Sequence, residues 1–184
     1  MRAMTTKCKH PKLGVDFGGV VHGITRLPEG PDTFLEGSLS QALSTPQMPG
    51  AFEALVRLHD AFAGELYIVS KCGARVEDLT LQWLEHHDFY NKTGVDRARV
   101  TFVRQRPDKA PRCRELGISH FVDDRADVLL PMRGIVTYRY LFGDQDAHAP
   151  DAPQASADPH AGDDYLQPVE DWPDAEEAIM ATLG

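Results

Sequence analysis

The sequence predicts an α/β fold with a central, mainly parallel, five-stranded sheet. Three observations carry this expectation. Short apolar runs alternate with stretches of helical periodicity between Leu13 and Leu141, the pattern of strands joined by crossover helices. Several runs end on a polar or acidic residue, at Asp16, Ser70 and Asp123, and the carboxyl ends of such strands are where ligands sit. The 184 residues, 42% hydrophobic and 26% charged, suffice for a single domain with a sizeable core.

The elements follow in order. Leu13 to Phe17 reads as a buried strand, with Gly18-Gly19 as its turn. Residues 21–48 hold Pro28, Pro31 and Pro46 and few periodic apolar positions, so they read as a short loop-rich insertion with a short helix near Ser38 to Leu43. Pro49 opens a helix on which Phe52, Leu55, Val56, Leu58 and Phe62 recur, and Gly64 closes it. Leu66 to Ser70 is a second strand. Val76 to His87 is a helix with Leu79, Leu81, Trp83 and Leu84 apolar. Val100 to Val103 is a third strand, and Asp108 to Leu116 a short helix ended by Gly117. His120 to Val122 is a fourth strand, terminating in Asp123-Asp124. Ala126 to Met132 is a helical turn or two, and Gly134 to Leu141 a fifth strand. Order resumes at Val169 to Trp172, and Pro173 begins a final helix with acids in its first turn and Ala178, Ile179, Ala181 and Leu183 as its apolar side. The core thus spans about 12–142 and 166–184.

The net charge is −9, from 28 acidic and 19 basic residues. An acidic balance argues against general nucleic-acid or membrane-surface binding, which need a basic footprint. The charge is unevenly placed. Residues 143–165 hold six Asp, six Ala and three Pro without Lys or Arg, the composition of a mobile loop. That loop carries −6 and leaves −3 for the rest. A basic surface around Arg104, Arg106 and Lys109 therefore stays open, beside the plainer reading of exposed charges. No apolar run approaches the roughly 18 residues of a membrane span, and the polar first twelve residues lack the apolar region of a signal peptide. Cys8, Cys72 and Cys113 are too widely spaced for a disulfide framework or a metal knuckle. A reducing, cytoplasmic setting is expected.

Asp16, Ser70, Asp123 and Asp124 stand at strand ends, and Lys109 follows the third strand. Crowded carboxylates repel unless a cation lies among them. Mg²⁺ suits such a set, being hard, oxygen-seeking and commonly shared with a substrate phosphate. A carboxylate can also attack phosphorus to give an aspartyl-phosphate. Lys109 and Ser70 would hold the phosphoryl oxygens, with backbone N–H groups of Gly18 and Gly19 as further donors. Each residue has a plainer alternative: Asp16 a turn acid, Ser70 a cap of the following helix, Lys109 a surface lysine at a helix start that its dipole disfavours.

Four motifs occur in one order: Leu13-Gly14-Val15-Asp16-Phe17-Gly18-Gly19-Val20, then Tyr67-Ile68-Val69-Ser70, then Lys109 in Arg106-Pro107-Asp108-Lys109, then Phe121-Val122-Asp123-Asp124-Arg125-Ala126-Asp127. In this the chain resembles the haloacid dehalogenase superfamily of phosphohydrolases. The resemblance implies a three-layer Rossmann-like fold. It implies Asp16 as nucleophile and Mg²⁺ ligand, the Gly18 carbonyl and Asp124 as further ligands, and Asp123 as a ligand directly or through water. It also implies that Ser70 and Lys109 bind the phosphoryl group, and that Asp127 orients metal waters or Lys109. The Asp-Asp-Arg-x-Asp form hints at the 5'-nucleotidase branch.

One departure matters. Most phosphatases of that family carry a second Asp two residues after the nucleophile, and here the position is Gly18. A general acid-base residue contributes roughly 10²–10⁴ in rate. Its absence hurts least when the leaving group departs without a proton. The expected function is thus a Mg²⁺-dependent phosphohydrolase that is weak or restricted to good leaving groups. The alternative is a catalytically impaired phosphate- or partner-binding protein. A carbon–halogen hydrolase ranks lower, because the acidic pair points to a metal. His22 can replace the missing acid or be a solvated loop residue. Residues 21–48 are too short for a large cap, so the site is open. It suits a phosphorylated small molecule or macromolecule, with Pro28 to Leu43 or the acidic loop as a partial lid. Cys72 reads as a small buried side chain, His86-His87 as partners of a helix dipole, and His148 and His160 as solvated loop residues.

Overall fold

The computed structural model describes residues 10–23, 35, 37–143 and 165–183. Six strands, β1 (Leu13–Val15), β2 (Leu66–Lys71), β3 (Val100–Val103), β4 (His120–Asp123), β5 (Tyr138–Phe142) and β6 (Leu166–Val169), form one sheet. Their order is β3-β2-β1-β4-β5-β6, and every pairing is parallel. The described helices are α1 (Leu39–Ser44), α2 (Ala51–Ala61), α3 (Ala74–His86), α4 (Phe89–Thr93), α5 (Lys109–Leu116), α6 (Ala126–Leu129) and α7 (Trp172–Ala181). None is long and apolar enough to cross a membrane.

The α/β class agrees with the sequence, but the sheet has six strands rather than five. The additional one is β6. Its Pro168 lowers its strand signal, because proline donates nothing to a ladder. At the sheet edge, where β6 lies, that loss is tolerated. Tyr165, assigned by composition to the acidic loop, is instead buried. Its hydroxyl donates to Gln167 Oε1, and its ring meets Tyr138 and Tyr140 edge-on. Residues 144–164, with His148 and His160, lie outside the described residues, as do 1–9 and most of the suggested lid, 24–34 and 36. Boundaries also moved. β1 stops at Val15, and β5 starts at Tyr138 because residues 133–135 form a turn with Gly134 at φ 73°. Helix α4 was not anticipated.

Side chains alternate across the strands. Val15, Ile68, Val122 and Tyr140 pack with Leu55 and Leu58 of α2, Trp83 of α3 and Trp172 and Ile179 of α7. Val69, Phe121 and Leu141 pack with Cys113 of α5 and Val128 and Leu129 of α6 on the other face. Helices therefore cover both faces. Val56 and Leu81, counted among the apolar helix positions, are exposed. Gly14 lets the second core close: a Cβ there would lie 2.5 Å from the Phe121 ring and 2.9 Å from Ile118.

Strand order reverses between β1 and β4. The chain continues outward from β1 through β2 to β3, and from β4 through β5 to β6. In open parallel sheets, ligands bind outside the carboxyl ends at such a switch point. Asp16 follows β1 and Asp123 ends β4, so the topology alone makes these two acids neighbours.

Candidate active site at the carboxyl edge of the sheet

The segment after Asp16 is firmly held. Asp16 N–H donates to the Val122 carbonyl at 2.9 Å, the last rung between β1 and β4. The Phe17 carbonyl accepts from Val21 and His22 N–H, both at 2.9 Å, and Gly19 N–H donates to His22 O at 3.0 Å. Gly19 adopts φ 75°, backbone that glycine takes without strain. Phe17, Val20 and Val21 are fully buried. The turn is pinned from outside by Trp172 at the start of α7, whose Nε1–H donates to Val20 O at 2.8 Å. It is also pinned by residues 46–48, since Gly23 N–H donates to Pro46 O and Met48 N–H to Val21 O.

Lys109 is the first residue of α5 and is 2% exposed. Its Nζ lies 2.8 Å from Asp16 Oδ1 and 2.7 Å from Asp123 Oδ2. Asp123 is completely buried; its other oxygen, Oδ1, accepts from Arg125 N–H at 3.0 Å. Asp16, Asp123 and Asp124 each offer a carboxylate oxygen within 4.8 Å of the others'. Burial alone would push the Lys109 ammonium toward neutrality, but Asp16 and Asp123 overcome this and hold it charged. Burial, then repulsion from Asp16, pushes Asp123 well above the usual carboxylate range, against the pull of Lys109.

Three carboxylates gather around Lys109 at this edge, and the Arg125 guanidinium acts on Asp123 and Asp124 as well. An all-oxygen donor set of this kind suits a hard ion. The residues therefore fit a metal. Asp123 is already committed on both oxygens, so its main observed task is to hold Lys109.

Other expected site residues fall as follows. Ser70, near the end of β2, is 3% exposed and forms no hydrogen bond to the carboxylates or Lys109 among the described residues. It does not cap α3 either, whose N-cap is Gly73. The N–H of Gly19 is used inside the turn, which removes it as a ready donor to an anion. Asp127 does not orient Lys109: it pairs with Arg125 at 2.9 Å and lies 3.8 Å from Arg106. Arg104 pairs with Glu77 at 2.7 Å and donates to Cys72 O at 3.1 Å.

His22 is not a solvated loop residue. It is fully buried against Phe17 and Trp83, and burial, with His87 nearby, pushes its imidazole down to about 4. It is neutral near pH 7 and so does not begin a reaction as a proton donor. Cys72 is buried as expected, its thiol pushed up to about 11 by burial, which makes it a poor nucleophile. His87 stacks on Trp83 with centroids 4.1 Å apart, and its Nε2 lies 2.8 Å from Leu43 O, so it ties α3 to α1, while His86 lies in the last turn of α3.

Two contributors were missed. Arg125 supports Asp123 through its backbone, and Trp172 clamps the turn after Asp16. The first carried a local signal, being adjacent to the acidic pair. The second did not, since 152 residues separate Trp172 from Val20. Grooves of about 470 and 330 Å³ run along α2 and include none of the site residues, so chemistry, not cavity size, singles out this edge. No family model and no curated protein matches the chain.

Proposed function

We propose that the chain is a Mg²⁺-dependent phosphohydrolase of haloacid dehalogenase type, using Asp16 as nucleophile and favouring good leaving groups. The observation that carries this is Lys109 Nζ bridging Asp16 and Asp123 at 2.8 and 2.7 Å, at the switch point of a parallel sheet.

Asp16, Asp124 and the Gly18 carbonyl would hold the Mg²⁺, with Asp123 reaching it through water. When bound it would offset the carboxylate charge and polarise the phosphoryl oxygens. The residues of the chain do the rest. Asp16 is fixed by the turn behind it and presents a carboxylate oxygen to phosphorus. Lys109, kept charged by its two partners, steadies Asp16 and attracts the anionic phosphoryl group. Ser70 stands at the same edge with a hydroxyl to offer. Hydrolysis of the resulting acyl phosphate by water restores the Asp16 carboxylate.

Gly18 sets the preference. It brings no side chain to protonate a departing alkoxide, so leaving groups stable as anions react best. Acetyl phosphate turns over faster than a sugar phosphate with Mg²⁺ present; equal or faster turnover of the sugar phosphate sinks this preference. Gly18→Asp raises sugar-phosphate turnover, and the backbone permits it, since Gly18 is outside the left-handed region. A catalytically impaired phosphate- or partner-binding protein is the second reading, favoured by that same Gly18. Turnover by wild type that Asp16→Asn abolishes excludes it.

A further inference from the structure

We propose that Arg106 and Arg125 form a second anion subsite beside the carboxylate cluster, selecting phosphoanhydride substrates whose leaving phosphate the two guanidiniums hold. This rests on the phosphohydrolase reading and adds the substrate class to it.

Arg106 follows β3 and Arg125 follows β4, strands separated in the sheet by β2 and β1. Both nevertheless reach Asp127. Arg125 binds it through Nε at 2.9 Å and Nη2 at 3.3 Å, and Arg106 Nη1 lies 3.8 Å away. They meet at the carboxyl edge of the sheet, the edge on which Asp16 and Ser70 also stand. Two guanidiniums meet at one carboxylate, and Arg125 is also acted on by Asp124 and Asp123. Arg104 contrasts with them, being matched one to one by Glu77. The Arg106 contact is longer than a hydrogen bond, and its side chain is 47% exposed. It is therefore the cation free to exchange Asp127 for a ligand. A phosphate fits that exchange, because guanidinium binds it through two parallel N–H donors.

Gly18 narrows the ligand to an anhydride. A departing phosphate leaves as an anion and needs no proton, so a missing general acid does not hinder it. In the first step an Asp16 oxygen bonds to phosphorus. The bridging P–O bond breaks, and its electron pair leaves on the second phosphate, beside Arg106 and Arg125. In the second step a water oxygen bonds to phosphorus, the bond to Asp16 breaks, and the water proton passes to solvent. Pyrophosphate and one water thus give two phosphates.

The test compares pyrophosphate with acetyl phosphate, a good leaving group that brings no second phosphate, at matched free Mg²⁺. Arg106→Ala and Arg125→Ala each lower the ratio of kcat/KM for pyrophosphate to that for acetyl phosphate by about tenfold or more, the worth of one charge-assisted hydrogen bond. Asp127→Asn raises the ratio, because it releases both arginines; a purely structural ion pair would lower it. An unchanged ratio in both arginine variants, or a fall in Asp127→Asn, overturns the subsite. Wild type that turns over acetyl phosphate but not pyrophosphate overturns it too, while leaving the Asp16 chemistry standing. Calorimetric titration separates the two ideas should wild type hydrolyse neither. Pyrophosphate binding at least about tenfold tighter than orthophosphate, lost in Arg106→Ala, supports the subsite, and equal binding overturns it.

Discussion

The two ends of β4 solve the same problem in opposite ways. At its amino end stands His120, 2% exposed. Its Nδ1 lies 2.8 Å from Ser119 Oγ and its Nε2 3.0 Å from Thr182 Oγ1, with Tyr140 OH 3.2 Å from the same Thr182. Burial pushes this imidazole down to about 3. The network is neutral, and each ring nitrogen has a hydroxyl partner. At the carboxyl end, three residues on, stands Asp123, wholly buried, bonded to Lys109 and gathered with Asp16 and Asp124. That network is built of charged groups where the other is neutral. Neutral, fully paired groups serve stability, whereas clustered ionisable groups at a strand end mark a candidate site.

Lys109→Met breaks the carboxyl end hardest. It leaves Asp16 and Asp123 buried without a counter-charge, and costs about 3–5 kcal/mol in urea denaturation without added metal, together with loss of turnover. His120→Phe breaks the amino end at about 1–3 kcal/mol, the price of stranding the Ser119 and Thr182 hydroxyls, and leaves turnover within about twofold, since it lies at the opposite edge from the chemistry. A large loss of kcat there would erase the contrast between the two ends.

Acid sharpens the contrast. The unfolded chain protonates His120 near 6.5, whereas the folded protein resists until about 3. The unfolded state therefore binds more protons in between. The stability from the neutral ring is present above about pH 6.5 and is lost as pH falls toward 3, with a slope of at most about 1.4 kcal/mol per pH unit. Denaturation midpoints measured from pH 7 to 5 show a shallower fall in His120→Phe. The smallest effect is at the other end: Mg²⁺ at tenfold over its Kd stabilises wild type by about 1.4 kcal/mol, and Asp124→Asn removes that gain.

What the sequence made legible follows from where each signal resides. Asp16 and Asp123 are set by strand ends, and strand ends are local: an apolar run stops and a polar residue follows. The switch-point rule then brings these two acids together, and Lys109 reaches them from the start of the helix after β3. Strand β6 was hidden because Pro168 is a poor strand residue everywhere except at an edge, and edge position is a property of the whole sheet. Asp127 has the spacing to face Lys109, yet Arg125 lies two residues away and captures it. Gly19 N–H looks available in a Gly-Gly turn until His22 O is placed against it. The clamp by Trp172 on Val20 is a contact between distant parts of the chain that no local pattern announces.

The proposed attack of Asp16 on phosphorus would leave a covalent phosphoryl group on that residue. Wild type is quenched in acid during acetyl phosphate turnover with Mg²⁺, digested, and read by mass spectrometry. The prediction is one added phosphoryl group on the peptide holding Asp16, mapped to that residue and absent in Asp16→Asn. Turnover with the phosphoryl group on another residue, or turnover that survives Asp16→Asn, contradicts it.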